Sequence, residues 1–296
     1  MGRMPVKTAP LVDDAATTAA PREASRFPHL EAPGPAVPMT EEQRFVFDLK
    51  GWLLIPAVLQ PAQIDALKAH LEALAKDRDS LDPIDRYSLS GPAQILLDHP
   101  AIVSILEEIL GHNRDEQSYG FRCESSFSTI RPAGWDNGQA AHGGGNNVSP
   151  LFSYQCKDGS IYSGLTRVVW ELNPVERGTG GTVLLSGSHK MNFALPDSID
   201  KQSPLFEHYA CPAGSVLIFS EAVVHAGMPW TNERHPRMAI FNAYSRVDTQ
   251  YHKLNLPREV IEAMPPRRRT LFRGVWSHDF TARRPNTYFS ADNVSL

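Results

Sequence analysis

The chain has 296 residues, a formal net charge of −4 at pH 7 and a hydrophobic fraction of 42%. This length accommodates one large domain or two small ones, and the mildly acidic balance gives no reason to expect nucleic acid or an anionic membrane as a partner. No apolar run approaches the roughly 20 residues that cross a bilayer, and the N-terminus has no apolar signal-peptide core. Three cysteines without CxxC spacing fit a reducing compartment better than a disulfide framework. We therefore expect a cytoplasmic protein.

The first part of the chain differs in composition from the rest. Residues 1–38 are rich in Ala, Pro and Thr and poor in large apolar residues. Such a segment buries too little apolar surface to offset its ordering entropy, so we expect a disordered leader. Residues 39–296 are predicted to form a single domain.

Helices dominate the start of that domain. The capping-box pattern Thr40-Glu-Glu-Gln43 predicts a helix that ends at Gly51. A short apolar run over residues 52–55 predicts one strand. Two more helices follow, one from Pro61 with apolar residues at helical spacing and one over residues 101–110.

Strand-like apolar runs fill the middle and the end of the chain, and turn signals rich in Gly and Pro separate them. The predicted strands cover residues 119–130, 161–172, 182–185, 215–219 and 238–244. Many short strands with such turns are typical of an antiparallel sandwich or barrel. A last helix is predicted over residues 257–264. The predicted fold class is α+β and mainly β, with helices outside a β-sandwich.

Two histidines lie where a metal site would be expected. His142 is in a polar, glycine-rich loop after the first long strand, and His225 ends or follows an apolar strand much later in the chain. Only a sheet that folds back on itself, as in a sandwich, brings the two together. Two imidazoles and one carboxylate form the facial triad of non-haem iron(II) oxygenases, which leaves positions open for a co-substrate and oxygen.

Arg237 begins an apolar strand whose alternation places Arg237, Ala239 and Phe241 on one face. A buried guanidinium is costly unless it finds a carboxylate. A dicarboxylate co-substrate would supply one.

In these features the chain resembles the phytanoyl-CoA dioxygenase (PhyH)-like branch of the iron(II)/2-oxoglutarate-dependent oxygenases over residues 40–276. Its most specific motif is a Gly-Ser-His-Lys turn after a Gly-Gly strand, and we interpret His189 in that turn as structural. The motifs that carry the resemblance, besides the two histidines and Arg237, are Gly51-Trp-Leu-Leu-Ile55, Val169-Trp170 and Gly180-Gly-Thr-Val-Leu-Leu-Ser-Gly-Ser-His-Lys190.

The resemblance implies a double-stranded β-helix core, of the jelly-roll or cupin-like type, with flanking N-terminal helices. It implies that His142 and His225 bind Fe(2+), that Arg237 pairs with the distal carboxylate of 2-oxoglutarate, and that O2 is the second co-substrate. It also implies that Trp170 lies near 2-oxoglutarate and that Thr231 makes a minor contact there.

The chain departs from the family pattern His-x-Asp, because position 144 is glycine. In the oxygenases that this chain resembles, loss of that carboxylate to Ala or Gly marks the radical halogenases, where chloride restores both the charge and the ligand. On this interpretation Gly144 belongs to the catalytic site by leaving room for chloride. The enzyme would chlorinate an unactivated C–H bond of a small molecule while 2-oxoglutarate is decarboxylated to succinate and CO2.

Two alternatives remain open at this point. In the first, the enzyme is a hydroxylase in which water or another carboxylate replaces the missing Asp; Asp136, Glu171 and Glu221 are the candidates, and Glu221 would equally serve to orient an imidazole. In the second, the chain is a non-catalytic binding protein of the same fold, against which the retained histidines and Arg237 speak.

The sequence says less about the substrate. Asn146 and Asn147 in the glycine loop are expected at the mouth of the site. The basic run Arg267-Arg-Arg269, with Arg273, would suit an anionic small molecule such as a nucleotide or a CoA-like group. No oligomeric state follows from the sequence.

Overall fold

The computed structural model describes residues 24–111, 117–136, 139–144 and 153–276. Residues 24–38, assigned above to the leader, pack on the domain in this structure. Leu30 is 4% exposed and belongs to the main core, and Glu31 pairs with Arg268 at 2.9 Å. The folded domain therefore begins before residue 39, the start that the composition predicts. Disorder of the residues before 24 stays a prediction. Asn146 and Asn147 also lie outside the described residues.

Three longer helices precede most of the strands, and two short ones follow them. The first begins with the predicted capping box, since Thr40 and Gln43 bond reciprocally, and Gly51 ends it in the left-handed region with φ +81°. The helices are α1 (Glu41–Lys50), α2 (Pro61–Asp77), α3 (Pro100–Ile109), α4 (Arg258–Glu262) and α5 (Pro266–Arg269). Within the described segments, no helix is both long enough and apolar enough to span a bilayer.

Ten strands are described, and every pairing between them is antiparallel. They are β1 (Trp52–Ile55), β2 (Phe121–Arg131), β3 (Gln155–Lys157), β4 (Ser160–Tyr162), β5 (Thr166–Glu171), β6 (Gly181–Leu185), β7 (Glu207–His208), β8 (Ser215–Ser220), β9 (Val224–Met228) and β10 (Arg237–Arg246). A five-stranded sheet has the order β1-β8-β5-β10-β2, a three-stranded sheet has the order β7-β6-β9, and β3 and β4 form a hairpin. The predicted α+β, mainly β architecture is confirmed.

The strand predicted over residues 161–172 is divided in two. Gly164 adopts φ +67° between β4 and β5, a conformation that turns the chain where an apolar run alone would predict continuity. Apart from this break, the predicted strands differ from the observed ones by one or two residues at their ends.

Alternation along β5 and β10 separates two cores. Val168, Trp170 and Ile240 face the helices and join the larger core, whereas Val169 and Phe241 face the three-stranded sheet. The candidate site lies on this second face, between the two sheets, so residues at alternate positions of β5 and β10 reach it.

Candidate metal centre

His142 and His225 lie side by side, although most of the strands separate them along the chain. Their backbones form an isolated antiparallel bridge, with N–O distances of 3.1 and 2.9 Å. Their ring centroids are 4.2 Å apart. His225 is buried at 8% exposure and belongs to β9, while His142 is exposed at the cavity mouth. The structure thus brings together the two histidines that the sequence singled out.

Both imidazoles are oriented through their Nδ1 atoms. Nδ1 of His142 lies 3.1 Å from the carbonyl oxygen of Ala140, and Nδ1 of His225 lies 2.8 Å from that of Val223. A carbonyl only accepts, so each Nδ1 carries the proton and donates it, and Nε2 is the nitrogen that can bind a metal. In this structure Nε2 of His142 lies 3.4 Å from the amide nitrogen of Gln139. Burial also lowers the pKa of His225, although the nearby carboxylate of Glu221 opposes the shift. The neutral form that binds metals is therefore favoured.

A carboxylate completes this cluster. Oε2 of Glu221 lies 3.6 Å from Nε2 of His225. One ligand atom from each of His142, Glu221 and His225 lies within 4.8 Å of the other two. Two imidazole nitrogens and one carboxylate oxygen are the donor set of non-haem iron(II) sites. These three residues therefore fit the metal that the fold implies.

Arg167 holds Glu221 in place. Its Nε and Nη2 atoms donate to Oε1 of Glu221 at 2.7 and 2.6 Å, so the other carboxylate oxygen stays directed toward the histidines. Burial acts to raise the pKa of Glu221, but the positive charge of Arg167 and its hydrogen bonds outweigh it, and the net shift is downward. Glu221 is thus an ionised carboxylate at neutral pH. Of the other proposed substitutes, Asp136 pairs with Lys201 at 3.3 Å and Glu171 lies beside Arg237.

Gly144 occupies a constrained position beside the cluster. It is buried, its φ is +110°, and its N–H donates to the carbonyl of Ala222 at 2.9 Å. A Cβ at this position would come within 3.0 Å of Val224 Cγ2 and 3.5 Å of Met191 Cε, and within 4 Å of no imidazole atom. Val224 precedes His225 on β9 and packs in an apolar cluster. A side chain at position 144 would therefore start toward apolar neighbours.

Arg237 already has a carboxylate partner within the chain. It is 1% exposed, and its Nη2 and Nε atoms donate to Oε1 and Oε2 of Glu171 at 2.5 and 3.2 Å. Nη2 also lies 3.1 Å from the hydroxyl of Tyr209 and 3.2 Å from that of Thr182. Burial acts to lower the pKa of Arg237, but the charge of Glu171 outweighs it and raises the pKa. The charge of Arg237 is largely compensated before any co-substrate arrives.

A cavity of about 200 Å³ joins the histidine cluster to Arg237. Three phenylalanines give it apolar walls, and three arginines give it positive charge. The lining residues are Phe127, Arg131, Gln139, His142, Arg167, Thr182, Phe219, Glu221, His225, Ala226, Gly227, Arg237 and Phe241. Sequence reasoning missed Arg131 and Arg167, although alternation along β5 places Arg167 on the same face as Glu171.

Two residues expected beside the co-substrate do not line this cavity. Trp170 is fully buried in the helix-side core, where its ring centroid is 5.3 Å from that of His99. Because successive strand residues face opposite sides, Glu171 takes the cavity side instead. Thr231 is exposed, donates its N–H to Thr179 and does not line the cavity. Thr182 on β6 is the threonine that contacts Arg237.

The basic run is structural in part, and its arginines do not line the cavity at the candidate metal cluster. Arg268 is buried and pairs with Asp98 and Glu31 at 2.7 and 2.9 Å, and Arg267 stacks on Tyr119 at 4.4 Å. His189 is fully buried, with Nε2 3.0 Å from the carbonyl of Asp48, in the structural placement expected for it.

Comparisons with known proteins agree on the fold. The structure of HygX from Streptomyces hygroscopicus with nickel and 2-oxoglutarate bound matches with a TM-score of 0.58 and 19% identity, over 75% of this chain and 93% of that one. The non-heme alpha ketoglutarate dependent carbocyclase SnoK from nogalamycin biosynthesis matches with a TM-score of 0.51 and 15% identity, over 79% and 96%. A comparison with curated protein sequences gives no match.

The family is shown by a sequence model rather than by these distant structures. The phytanoyl-CoA dioxygenase (PhyH) model matches residues 47–239, well over half of the chain. That match spans α1 to β10 and includes both histidines, Glu221 and Arg237. The chain therefore belongs to the phytanoyl-CoA dioxygenase (PhyH) family of non-haem iron and 2-oxoglutarate-dependent oxidoreductases.

Proposed function

We propose that this enzyme hydroxylates a small molecule with Fe(II), 2-oxoglutarate and O2, and that His142, Glu221 and His225 hold the iron. The observation that carries the proposal is the ionised carboxylate of Glu221 beside both imidazoles. Bound iron would supply the redox chemistry that couples decarboxylation of 2-oxoglutarate to succinate and CO2 with insertion of oxygen into a substrate C–H bond.

The chain's own residues contribute orientation and a dry environment. Ala140 and Val223 fix the imidazoles through their carbonyls, and Arg167 keeps Glu221 ionised and directed toward them. Aromatic walls that include Phe219 and Phe241 limit the access of water to the cavity, which strengthens electrostatic interactions inside it.

A small molecule is the proposed substrate class. One structure of the relative HygX contains hygromycin B together with nickel and 2-oxoglutarate; it matches with a TM-score of 0.55 and 20% identity. His142 is exposed to solvent, so a small molecule can approach the cluster from that side. A cytoplasmic location remains part of the proposal.

Radical halogenation is the second candidate function, and Gly144 is the observation that favours it. Position 144 offers no carboxylate where the family pattern has one. If Glu221 stays paired with Arg167 when the metal binds, chloride would occupy the coordination position that a protein carboxylate otherwise takes. The net reaction would consume one chloride and one proton per substrate and release one water, beside succinate and CO2.

The test uses purified enzyme under anaerobic conditions. Addition of Fe(II) and 2-oxoglutarate should produce the visible charge-transfer absorption of a metal-bound 2-oxoacid, and O2 should then convert 2-oxoglutarate to succinate. His225→Ala should lose both signals, with His29→Ala, an exposed histidine far along the chain from the cluster, as the control. A non-catalytic binding protein would form no succinate. Hydroxylation predicts a spectrum that is insensitive to chloride, whereas halogenation predicts that chloride shifts it.

A further inference from the structure

Among the described residues, two of the three cavity arginines have a carboxylate partner and the third has none. Arg167 pairs with Glu221 and Arg237 pairs with Glu171. Arg131, the third arginine of the cavity lining, forms no ion pair with any acidic residue in the described segments. Of the three guanidiniums in the cavity, only that of Arg131 therefore has no carboxylate partner from the described residues.

We infer that Arg131 binds the distal carboxylate of the 2-oxoacid co-substrate, acting together with Arg237. This inference rests on the proposed function, because it concerns the same co-substrate. On this inference, Arg131 supplies the positive charge that the distal carboxylate neutralises. Arg237 is already paired with Glu171 and contributes a hydrogen-bond donor held in place.

The position of Arg131 supports this assignment. It is the last residue of β2, and its Cα partner across the β2–β10 ladder is Arg237. Directly opposed residues of an antiparallel pair project to the same face, so both guanidiniums reach the same cavity. Glu171 lies beside Arg237 and offsets one of these two like charges, so the second guanidinium charge is not balanced by a carboxylate of the described residues.

The contacts of Arg131 hold its guanidinium without neutralising it. Nε donates to the hydroxyl of Thr129 at 2.9 Å, and the guanidinium carbon lies 4.2 Å from the ring centre of Trp135. A hydroxyl and an aromatic face fix the plane of the group. Burial, followed by the charge of Arg237, lowers the pKa of Arg131 to about 10, so the group stays protonated at neutral pH. A carboxylate beside Arg131 would raise this pKa again, because its negative charge offsets the effects of burial and of Arg237.

The chemistry of the guanidinium matches such a ligand. Arginine offers parallel N–H donors that fit the two oxygens of a carboxylate, and such charge-assisted pairs are shorter and stronger than neutral ones. The inference predicts selectivity for dicarboxylic over monocarboxylic 2-oxoacids, because a ligand without the distal carboxylate leaves Arg131 unpaired.

The test measures binding by calorimetry, with Ni(II) in place of Fe(II) so that no turnover occurs. Wild type and Arg131→Gln are titrated with 2-oxoglutarate and with 2-oxopentanoate, which has the same carbon chain but no distal carboxylate. Arg131→Gln should weaken 2-oxoglutarate binding by about 10- to 100-fold and should change 2-oxopentanoate binding by less than about twofold. Arg131→Lys should recover part of the affinity, since it keeps the charge without the planar fork.

A matched control is Arg246→Gln. Arg246 ends β10, opposite the Arg237 end, and pairs with Asp248 at 2.8 Å outside the cavity, so both affinities should stay at wild-type values. Ni(II) binding and thermal melting report whether each variant folds, and Arg131→Lys carries the test if Arg131→Gln does not fold.

The outcomes separate the two proposals. If the wild type binds Ni(II) but no 2-oxoglutarate, the proposed function fails and this inference fails with it. If the wild type binds 2-oxoglutarate and Arg131→Gln binds it equally well, or loses both ligands to the same extent, Arg131 does not contact the distal carboxylate and only this inference is overturned.

Discussion

Oε2 of Glu221 lies 3.6 Å from Nε2 of His225, which comes four residues later in the chain. The family pattern supplies its carboxylate from the His-x-Asp loop, two residues after the first histidine. Here the carboxylate grouped with both histidines, among the described residues, comes from the turn before the second histidine, between β8 and β9. If Glu221 binds the iron as we propose, the donor set of the facial triad is kept and only its order along the chain is changed.

Replacement of Glu221 tests its role as a ligand. Glu221→Gln should weaken Fe(II) or Ni(II) binding by about 100-fold, because even residues that only orient a ligand typically contribute 10- to 100-fold. Glu176→Gln is the matched control, since Glu176 pairs with Arg234 at the surface. Metal titration by calorimetry measures both. Unchanged metal affinity in Glu221→Gln would rule out the ligand assignment.

Gly144→Asp is expected to destabilise the protein without creating a metal ligand. An aspartate there must adopt φ +110° and approach Val224 Cγ2 to 3.0 Å. We expect a loss of about 1–3 kcal/mol in the free energy of unfolding from the strained backbone alone, and no gain in metal affinity. Gly178→Asp separates backbone strain from the close contact with Val224, because Gly178 has φ +81° but no neighbouring atom within 4 Å. Urea unfolding should show the larger loss for Gly144→Asp; tighter metal binding in that variant would contradict the geometry.

The buried pair of Glu171 and Arg237 should be costly to break. Both side chains are almost fully inaccessible, at 0% and 2% exposure. Glu171→Gln leaves the Arg237 guanidinium without its charged partner, which typically costs about 3–5 kcal/mol of stability. Glu176→Gln, in the exposed pair, should cost less than about 1 kcal/mol. Equal unfolding free energies for the two variants would show that Arg237 finds its compensation elsewhere.

Stability should fall as the pH is lowered from 6.5 toward 4. Burial lowers the pKa of His99 to about 4, from 6.5 for an exposed histidine, and does the same for His189. Between these values the unfolded chain binds more protons than the folded one, so acid favours unfolding. Each histidine should contribute a loss of about 2 kcal/mol between pH 7.5 and pH 5.

His99→Asn isolates one of these two contributions. Nδ1 of His99 accepts from the N–H of Ala101 at the start of α3, and asparagine is a good residue for that capping position. Urea unfolding at the two pH values should give a smaller difference for His99→Asn than for wild type. His29→Asn, at an exposed position, should leave the difference as it is; an undiminished difference in His99→Asn would contradict the burial argument.

Local signals in the sequence were sufficient for much of the fold. The capping box at Thr40 and the glycine at position 51 define α1, because both act through neighbouring backbone groups. His142 and His225, the two proposed metal ligands, stood out for a similar reason, since each lies in a distinctive local context. The break at Gly164 was missed, because a positive φ is not visible in an apolar run.

Which residues form the site depends on contacts between distant parts of the chain, and local sequence patterns do not reveal those contacts. Alternation places Trp170 and Glu171 on opposite faces of β5, but only the helices that cover Trp170 decide which face is the cavity. Asp136, Glu171 and Glu221 were candidates for the missing ligand, and only the folded chain shows that Glu221, in the turn between β8 and β9, lies beside both histidines. The role inferred for Arg131 depends on its register with Arg237, which is a long-range pairing.

We propose that Glu221, rather than a halide, is the third metal ligand beside His142 and His225. The most direct measurement is a crystal structure of the enzyme with Fe(II) and 2-oxoglutarate, grown anaerobically in bromide, with anomalous data at the bromine edge. Our account predicts a Glu221 oxygen bonded to the metal and no bromine peak there. A bromine peak on the iron, with Glu221 paired only to Arg167, would contradict it and would establish the halogenase interpretation instead.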